Sequence, residues 1–205
     1  MDKFNIKLET LFFLFSNLLF TLLFTLLFTS FFLSTQSFAL KIDTDKSTFQ
    51  WTASKIAGKH TGKTFIKSYQ FIEGTEAKNK GELLSGFVIM DMTKITVEDL
   101  TGEMAQKFLN HISGEDFFQV SKYPNATLKM NKIANNEIEG ELTIKDKTNP
   151  IKFAYTKKDG YLKGVLKFDR TKFNIIYGSG NFFKNLGDKV INDEVLLNFE
   201  VKLIP

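Results

Sequence analysis

The residue types that most often do covalent or metal chemistry are scarce in this 205-residue chain. It has no cysteine and only two histidines, His60 and His111, which lie far apart and show none of the spacings of a metal-binding pair. No glycine-rich loop at a strand-to-helix junction predicts a phosphate site. The acids Asp91, Glu115 and Asp116 form no recognisable pair for general acid–base catalysis. An enzyme is therefore the weaker functional class.

Arg170 is the only arginine of the chain, and lysine occupies every other basic position. A guanidinium differs from an ammonium in offering a planar, bidentate fork. Its structural partner would be a carboxylate, such as Asp91 or Asp116, and its functional partner a phosphate or quinone oxygen. Arg170 falls in phase with Leu166 and Phe168, so continued alternation predicts that it points inward.

Strands must position most of these residues, because apolar residues alternate along most of the chain. Asn135-Asn136 and Asp159-Gly160 predict tight turns, a cluster over 146–150 predicts another, and 171–190 predicts a long, partly ordered connection. The alternation predicts about eight strands, over residues 49–53, 61–71, 83–92, 125–133, 137–145, 151–155, 162–168 and 195–203.

One helix interrupts the strands. Apolar residues from Met104 to Ile112 recur at helical spacing and predict a helix over 101–112. The aromatic pair Phe117-Phe118 and a Tyr123-Pro124 break follow it. A helix across one opening of a β-structure, joined to the next strand by an aromatic loop, indicates a lid over a cavity.

Eight antiparallel strands in about 160 residues favour closure into a barrel, which removes exposed sheet edges. A barrel of this size either just fills its interior or holds one small ligand. The inward residues are largely Phe, Leu, Ile and Met, so the contents should be apolar. Trp51, on the first strand, is expected to plug the base. Alternation alone does not separate a barrel from a sandwich.

Four short motifs stand out along the chain. The first is 58–62 (GKHTG), and the second combines His111 with 116–118 (DFF) and 123–126 (YPNA). The third and fourth are 140–145 (GELTIK) and 168–171 (FDRT). In these motifs, residues 41–205 resemble the YceI-like family. The resemblance implies an all-β, eight-stranded antiparallel, lipocalin-like barrel with one α-helix and an aromatic loop near the cavity mouth. It also implies a periplasmic protein that binds a polyisoprenoid, such as a prenyl phosphate or quinone, or a long fatty acid or its amide.

The first 39 residues have the pattern of an export signal. Lys3 and Lys7 precede a stretch over 11–33 without charge, and Ser37 and Ala39 supply the small residues of a cleavage site. That stretch would reach about 34 Å as a helix, enough to cross a bilayer. The leader is thus either a cleaved signal or an uncleaved anchor, and residues 40–205 form one exported, periplasmic or secreted domain.

The net charge of +4 comes from lysines scattered singly along the chain. This pattern is typical of a solvated sheet face and argues against nucleic acid as a partner. A positive balance favours an anionic membrane surface or a phosphorylated lipid head. No cofactor is expected besides a bound lipid, and the sequence leaves the oligomeric state open between a monomer, a dimer and a larger assembly.

Pattern and resemblance together predict a set of ligand-binding residues. His60 and His111 each have a structural interpretation, a hydrogen bond that fixes a turn or the helix, and a functional one, contact with a lipid head group. The predicted set is Phe65, Phe87, Phe108, His111, Phe117, Phe118, Leu128, Leu166, Phe168, Arg170 and His60.

The resulting hypothesis is a non-enzymatic lipid carrier. One alternative is a solid barrel that acts in stress response or binds a partner protein. Another is an enzyme that modifies lipid head groups around His60, His111 and Arg170, for which the sequence supplies no nucleophile.

Overall fold

A computed structural model describes residues 41–74 and 83–204, and the predicted leader lies outside the described residues. In the described ranges, one α-helix accompanies nine strands, and that helix is too short and polar to cross a membrane. The elements are β1 (Lys41–Lys55), β2 (Gly58–Lys63), β3 (Phe65–Glu73), β4 (Leu83–Asp91), α1 (Gly102–Ser113), β5 (Asn125–Ala134), β6 (Glu137–Ile144), β7 (Lys147–Lys158), β8 (Tyr161–Asp169) and β9 (Ile191–Ile204).

The strands form one antiparallel sheet in the order β2-β1-β9-β8-β7-β6-β5-β4-β3. Its two edge strands, β2 and β3, follow each other in the chain and are separated only by Thr64. The backbone N–H of Ile42, on β1, donates to the hydroxyl of Tyr69, on β3, at 2.9 Å. The sheet therefore curls until its edges meet, which confirms the predicted barrel-like, lipocalin-like fold.

The strand count differs from the prediction of eight because the predicted second strand is divided. The N–H of Thr64 donates to the carbonyl of Phe49 at 3.0 Å, which ends the pairing of β2 with β1. Pairing with β4 then begins at Phe65. One stretch of chain thus serves both edges of the curled sheet, and the change of partner at Thr64 gives it two strand assignments.

Two predicted turns are confirmed, and a third is shorter and begins one residue earlier than predicted. Asn135 and Asn136 have φ of 54° and 60°, and Asp159 and Gly160 have φ of 54° and 75°, the left-handed conformation of tight hairpins.

The third turn is shorter than the predicted cluster over 146–150. Lys145 has a φ of 55° and β7 already begins at Lys147. Pro150 lies within β7 because β8 pairs only with Tyr155–Lys158. Because proline has no backbone N–H to donate, it is tolerated in a strand where one side has no partner strand.

Helix α1 lies over one end of the curled sheet. It turns Ile112, which is buried, and the half-buried Phe108 and Leu109 toward the core. Most of its other residues are exposed, and Glu103 and Lys107 form an ion pair at 2.8 Å on the outer side. Few apolar side chains therefore hold α1 to the barrel.

Candidate functional site

The curled sheet encloses a cavity of about 380 Å³. Lining residues on β8 run from Leu162 to Phe168, which at about 3.3 Å per residue spans about 20 Å. The void is therefore elongated along the barrel. Its far end, away from α1, is lined by buried apolar side chains from five strands: Ile42, Leu83, Ile133, Ile138 and Leu162.

Five of the six polar lining residues gather at the opposite end, called the helix end below, where β1 and β8 finish and α1 lies. They are Ser54, Lys55, His60, His111 and Arg170, and the sixth, Thr64, lies between β2 and β3. Lys55 and His111 are exposed, while Arg170 is buried. The cavity thus combines a long apolar interior with polar residues near one end, the arrangement that suits an amphipathic molecule with a long tail.

Nine of the predicted ligand-binding residues line this cavity. They come from the strands, α1 and the loop after it, and are His60, Phe108, His111, Phe117, Phe118, Leu128, Leu166, Phe168 and Arg170. Inward alternation on β5 and β8 and the helical spacing of α1 identified most of them. The prediction of a lid made of α1 and its aromatic loop agrees with this placement.

Phe65 and Phe87 do not line the cavity, so their prediction was wrong. Phe65 is 43% exposed, because a register shift in β3 follows Ile66 and reverses the assumed alternation with Tyr69. Around Phe87, the alternate residues of β4 that line the cavity are Val88 and Met90, so Phe87 faces the other side of the sheet. Both faces of β4 are apolar, and its sequence alone does not show which is internal.

Trp51 does not plug the base of the barrel but lies beneath α1. Its ring is parallel to that of Phe108, at a centroid distance of 6.1 Å and an interplanar angle of 11°. Its indole N–H donates to the carbonyl of Thr96 at 3.1 Å. Trp51 is therefore a cavity-lining residue that the sequence analysis missed. Its inward phase with Phe49 and Ala53 was the available signal.

Aromatic contacts also join α1 to the segments around it. The ring of His111 packs edge-on against Phe117 at 4.8 Å and Tyr177 at 4.7 Å. The ring of His60 lies 4.7 Å from Phe108. Tyr177 belongs to the connection between β8 and β9, so three separate segments meet at the helix end.

His60 is held by a carboxylate. Its Nδ1 lies 2.7 Å from an oxygen of Asp99, whose other oxygen accepts the N–H of Thr61 at 2.7 Å. Partial burial of the Asp99 carboxyl favours its neutral form, but the bonds from Thr61 and His60 outweigh this effect and lower its pKa. This pair supports the structural interpretation of His60.

Arg170 is 3% exposed and satisfied by the protein itself. Its Nη1 donates to the carbonyls of Ile175 at 2.7 Å and Tyr177 at 2.8 Å, and its Nε to that of Asn192 at 3.0 Å. Its Nη2 lies 3.1 Å from Asp193. Burial lowers the pKa of Arg170, although the Asp193 charge opposes that effect. Arg170 therefore fixes the β8–β9 connection.

The sequence correctly predicted a carboxylate partner for Arg170, but the suggested acids were wrong. Asp91 instead accepts the hydroxyl and N–H of Thr93 at the end of β4, and Lys94 lies 3.5 Å away. Asp193 lies beyond the long connection, on β9, and nothing in its local sequence marks it as the partner.

The arrangement favours binding over reaction. Across residues 41–74 and 83–204, no group of three or more His, Asp or Glu side chains is placed to hold a metal ion. The two histidines of the lining face aromatic rings, and the guanidinium is engaged by carbonyls. What remains accessible is an almost wholly apolar interior.

These features are those of a lipocalin-like binding barrel. The model of the YceI-like domain matches residues 40–203, and the chain belongs to that family. Among curated proteins, no sequence matches the chain.

Two solved structures share the fold. BcnA of Burkholderia cenocepacia is 23% identical, with 80% of this chain and all of BcnA covered, and a TM-score of 0.57. A polyisoprenoid binding domain from Saccharophagus degradans is 12% identical, with 80% and 96% covered, and a TM-score of 0.54.

Proposed function

We propose that this protein is an exported, non-enzymatic carrier that holds one long-chain lipid inside the barrel. The elongated apolar cavity, with most of its polar lining residues near the helix end, is the observation that carries this proposal. Its volume of about 380 Å³ falls within the ordinary range of ligand pockets. Membership of the YceI-like family and the fold shared with a polyisoprenoid binding domain support it.

The tail of the lipid dominates the proposed binding energy. Burial of about ten methylenes contributes roughly 8 kcal/mol, whereas an exposed ion pair to the head contributes about 0–1 kcal/mol. Association itself costs about 4–15 kcal/mol. Since Arg170 and His60 are held by Asp193 and Asp99, the charged groups left for a head are few. Chain length should therefore set the affinity.

The ligand class that fits is a polyisoprenoid, such as a prenyl phosphate or quinone, or a long fatty acid or its amide. Helix α1 and the loop after it would control access, because few apolar contacts hold α1 in place. The exported location rests on the sequence of residues 1–39, and sequencing the mature N-terminus from a periplasmic fraction tests it.

The direct test is mass spectrometry of an organic extract from the native purified protein. We expect a long-chain lipid in amounts that approach one per protein. Titration with prenyl lipids of about ten and about thirty carbons should then show tighter binding of the longer chain, since more methylenes are buried. Equal affinities would contradict the tail-dominated mechanism.

A matched pair of variants separates the carrier from a solid, partner-binding barrel. Leu166→Trp places a large ring in the cavity, and Lys167→Trp places the same ring on the outer face of β8. A carrier loses lipid only in the first variant, with both variants folded as judged by circular dichroism. Equal lipid content in the two, or none in the wild type, would support the solid barrel.

A further inference from the structure

A patch of exposed apolar side chains lies at the helix end of the barrel. Ile56, in the turn between β1 and β2, is 65% exposed, and Phe182 and Phe183, in the β8–β9 connection, are 56% and 44% exposed. We call the turn over residues 55–59 and the loop over residues 182–189 the rim patch. Large apolar side chains grouped on a surface mark an interaction site more often than singly exposed ones do.

The two parts of the rim patch are joined through the start of β9. The N–H of Ile56 donates to the carbonyl of Val190 at 3.3 Å, and Lys55 pairs in register with Ile191. Val190 directly follows the loop. Its N–H donates to the carbonyl of Gly187 at 3.3 Å and so closes the last turn of the loop. The turn that carries Ile56 and the loop that carries the phenylalanines therefore meet at Val190, which also lies against Gly180.

A buried network holds the phenylalanines in their exposed positions. The N–H groups of Phe182 and Phe183 donate to the carbonyl of Ser179 at 3.1 and 3.0 Å. Ser179 is fully buried, and its hydroxyl donates to Asp193 at 2.9 Å. Asp193 is also the carboxylate that Arg170 contacts. The turn that carries the phenylalanines is therefore already fixed, so little conformational entropy is lost when they bind.

The charge of the rim patch is positive. It contains four lysines, Lys55, Lys59, Lys184 and Lys189, and one acid, Asp188. Of the acids on neighbouring elements, Glu103 pairs with Lys107 on α1 and Asp99 with His60. Glu115, Asp116 and Glu194 form no ion pair within the described residues and offset part of this charge. Aromatic side chains flanked by lysines suit a bilayer surface, where rings enter the acyl boundary and ammonium groups meet anionic heads.

We propose that the rim patch docks the protein on an anionic lipid bilayer. Most polar lining residues of the cavity lie at the same end of the barrel, so docking would bring that end of the cavity to the membrane surface. A second copy of this chain is a poorer occupant, because symmetric contact would bring the lysines of both copies together. Docking does not require a filled cavity, so its failure and that of the carrier proposal are separately measurable.

Vesicle binding tests the proposal. Because the family model spans residues 40–203 and BcnA, which shares the fold, is covered over its whole length, the domain can be tested as residues 40–205. We expect it to bind vesicles of equal parts phosphatidylcholine and phosphatidylglycerol in a co-sedimentation assay, and to bind pure phosphatidylcholine vesicles far more weakly. The double variant Phe182→Ser/Phe183→Ser should lose about tenfold in partitioning.

The matched control changes two exposed apolar residues that lie outside the rim patch. Phe65 and Ile72, on β3, are 43% and 58% exposed, and Phe65→Ser/Ile72→Ser should bind like the wild type. The variant Lys184→Gln/Lys189→Gln should bind about fivefold less per charge removed and show a weaker dependence on salt. It retains both phenylalanines, so it tests the proposal even if the serine variant folds poorly.

Amide hydrogen exchange gives a second measurement. On addition of the anionic vesicles, protection should rise in residues 55–59 and 182–189 and stay unchanged in β3. Equal loss of binding in the control variant, protection confined to other segments, or no binding to anionic vesicles would overturn the proposal. Self-association at assay concentrations that disappears in Phe182→Ser/Phe183→Ser would assign the patch to a second copy instead.

Discussion

The indole of Trp51, on β1, lies parallel to the ring of Phe108, on α1, at 6.1 Å. The only tryptophan of the chain therefore sits between the sheet and the helix that covers the cavity. Because both rings also line the cavity, this stacked pair connects the helix to the space that a ligand would fill. Tryptophan fluorescence reports on that contact directly.

Phe108→Ala should loosen α1 and speed the release of a bound fluorescent fatty acid by about tenfold, since a half-buried phenylalanine contributes of the order of 1–2 kcal/mol. Trp51 emission should shift to longer wavelength as water reaches the ring. Stopped-flow displacement and emission spectra measure the two effects. Met104→Ala removes a side chain of the same helix that is 66% exposed and should change neither. Unchanged release from Phe108→Ala would mean that α1 does not control access.

Arg170→Ala should lower the free energy of unfolding by about 3–5 kcal/mol, the cost of removing one partner of a buried ion pair. The variant removes the donor to one oxygen of Asp193 and to the carbonyls of Ile175 and Tyr177, while Ser179 still donates to the other oxygen of Asp193. Urea denaturation measures the change.

Arg170→Lys is the informative second variant, because an ammonium cannot reproduce the planar fork. It should recover little of the lost stability. Full recovery would show that charge alone matters at this position. Lys172 is an exposed neighbour, and Lys172→Ala should have nearly the same free energy of unfolding as the wild type.

Local sequence was sufficient where local rules decide the structure. Asn135-Asn136 and Asp159-Gly160 tolerate the left-handed backbone of a tight turn, so the hairpins they close were predictable. The helical spacing that ends at Ile112 placed α1 within one residue at each end. Period-two alternation likewise gave the inward residues of β5 and β8.

Sequence reasoning failed where distant segments decide the structure. Thr64 divides a strand because two different strands pair with the chain on either side of it. Asp193 becomes the partner of Arg170 only once the β8–β9 connection folds back. The inner face of β4 depends on what packs against it, and its own sequence is apolar on both faces, which is why Phe87 was assigned to the wrong side.

Asp91 should make stability depend on pH in the acid range. The hydroxyl and N–H of Thr93, and then Lys94, lower the pKa of its carboxyl despite some burial. A lowered folded-state pKa contributes stability above the unfolded-state value of about 3.9, and that contribution is lost as pH falls through the folded-state pKa. The stability difference between wild type and Asp91→Asn should therefore be largest at neutral pH and shrink below about pH 4.

Urea denaturation at a series of pH values measures that difference. Thr93→Val removes the hydroxyl donor and keeps the Asp91 carboxylate. It should therefore reduce, but not abolish, the pH-dependent stability that Asp91 contributes. A difference that stays constant with pH would show that Asp91 acts through packing alone.

Thr64→Val should stabilise the protein. Thr64 is 8% exposed and lines the cavity, and its hydroxyl is buried without a hydrogen-bond partner in the described part of the chain. An unsatisfied buried hydroxyl costs about 1–3 kcal/mol, and valine keeps nearly the same shape with no polar group to desolvate. Thermal unfolding of the delipidated protein should show a higher midpoint. Thr64→Ser keeps the hydroxyl but loses a methyl group from the core, so its midpoint of thermal unfolding should be lower than that of the wild type. A destabilised valine variant would mean that the hydroxyl has a partner in solution, such as a bound water or a polar atom of the lipid.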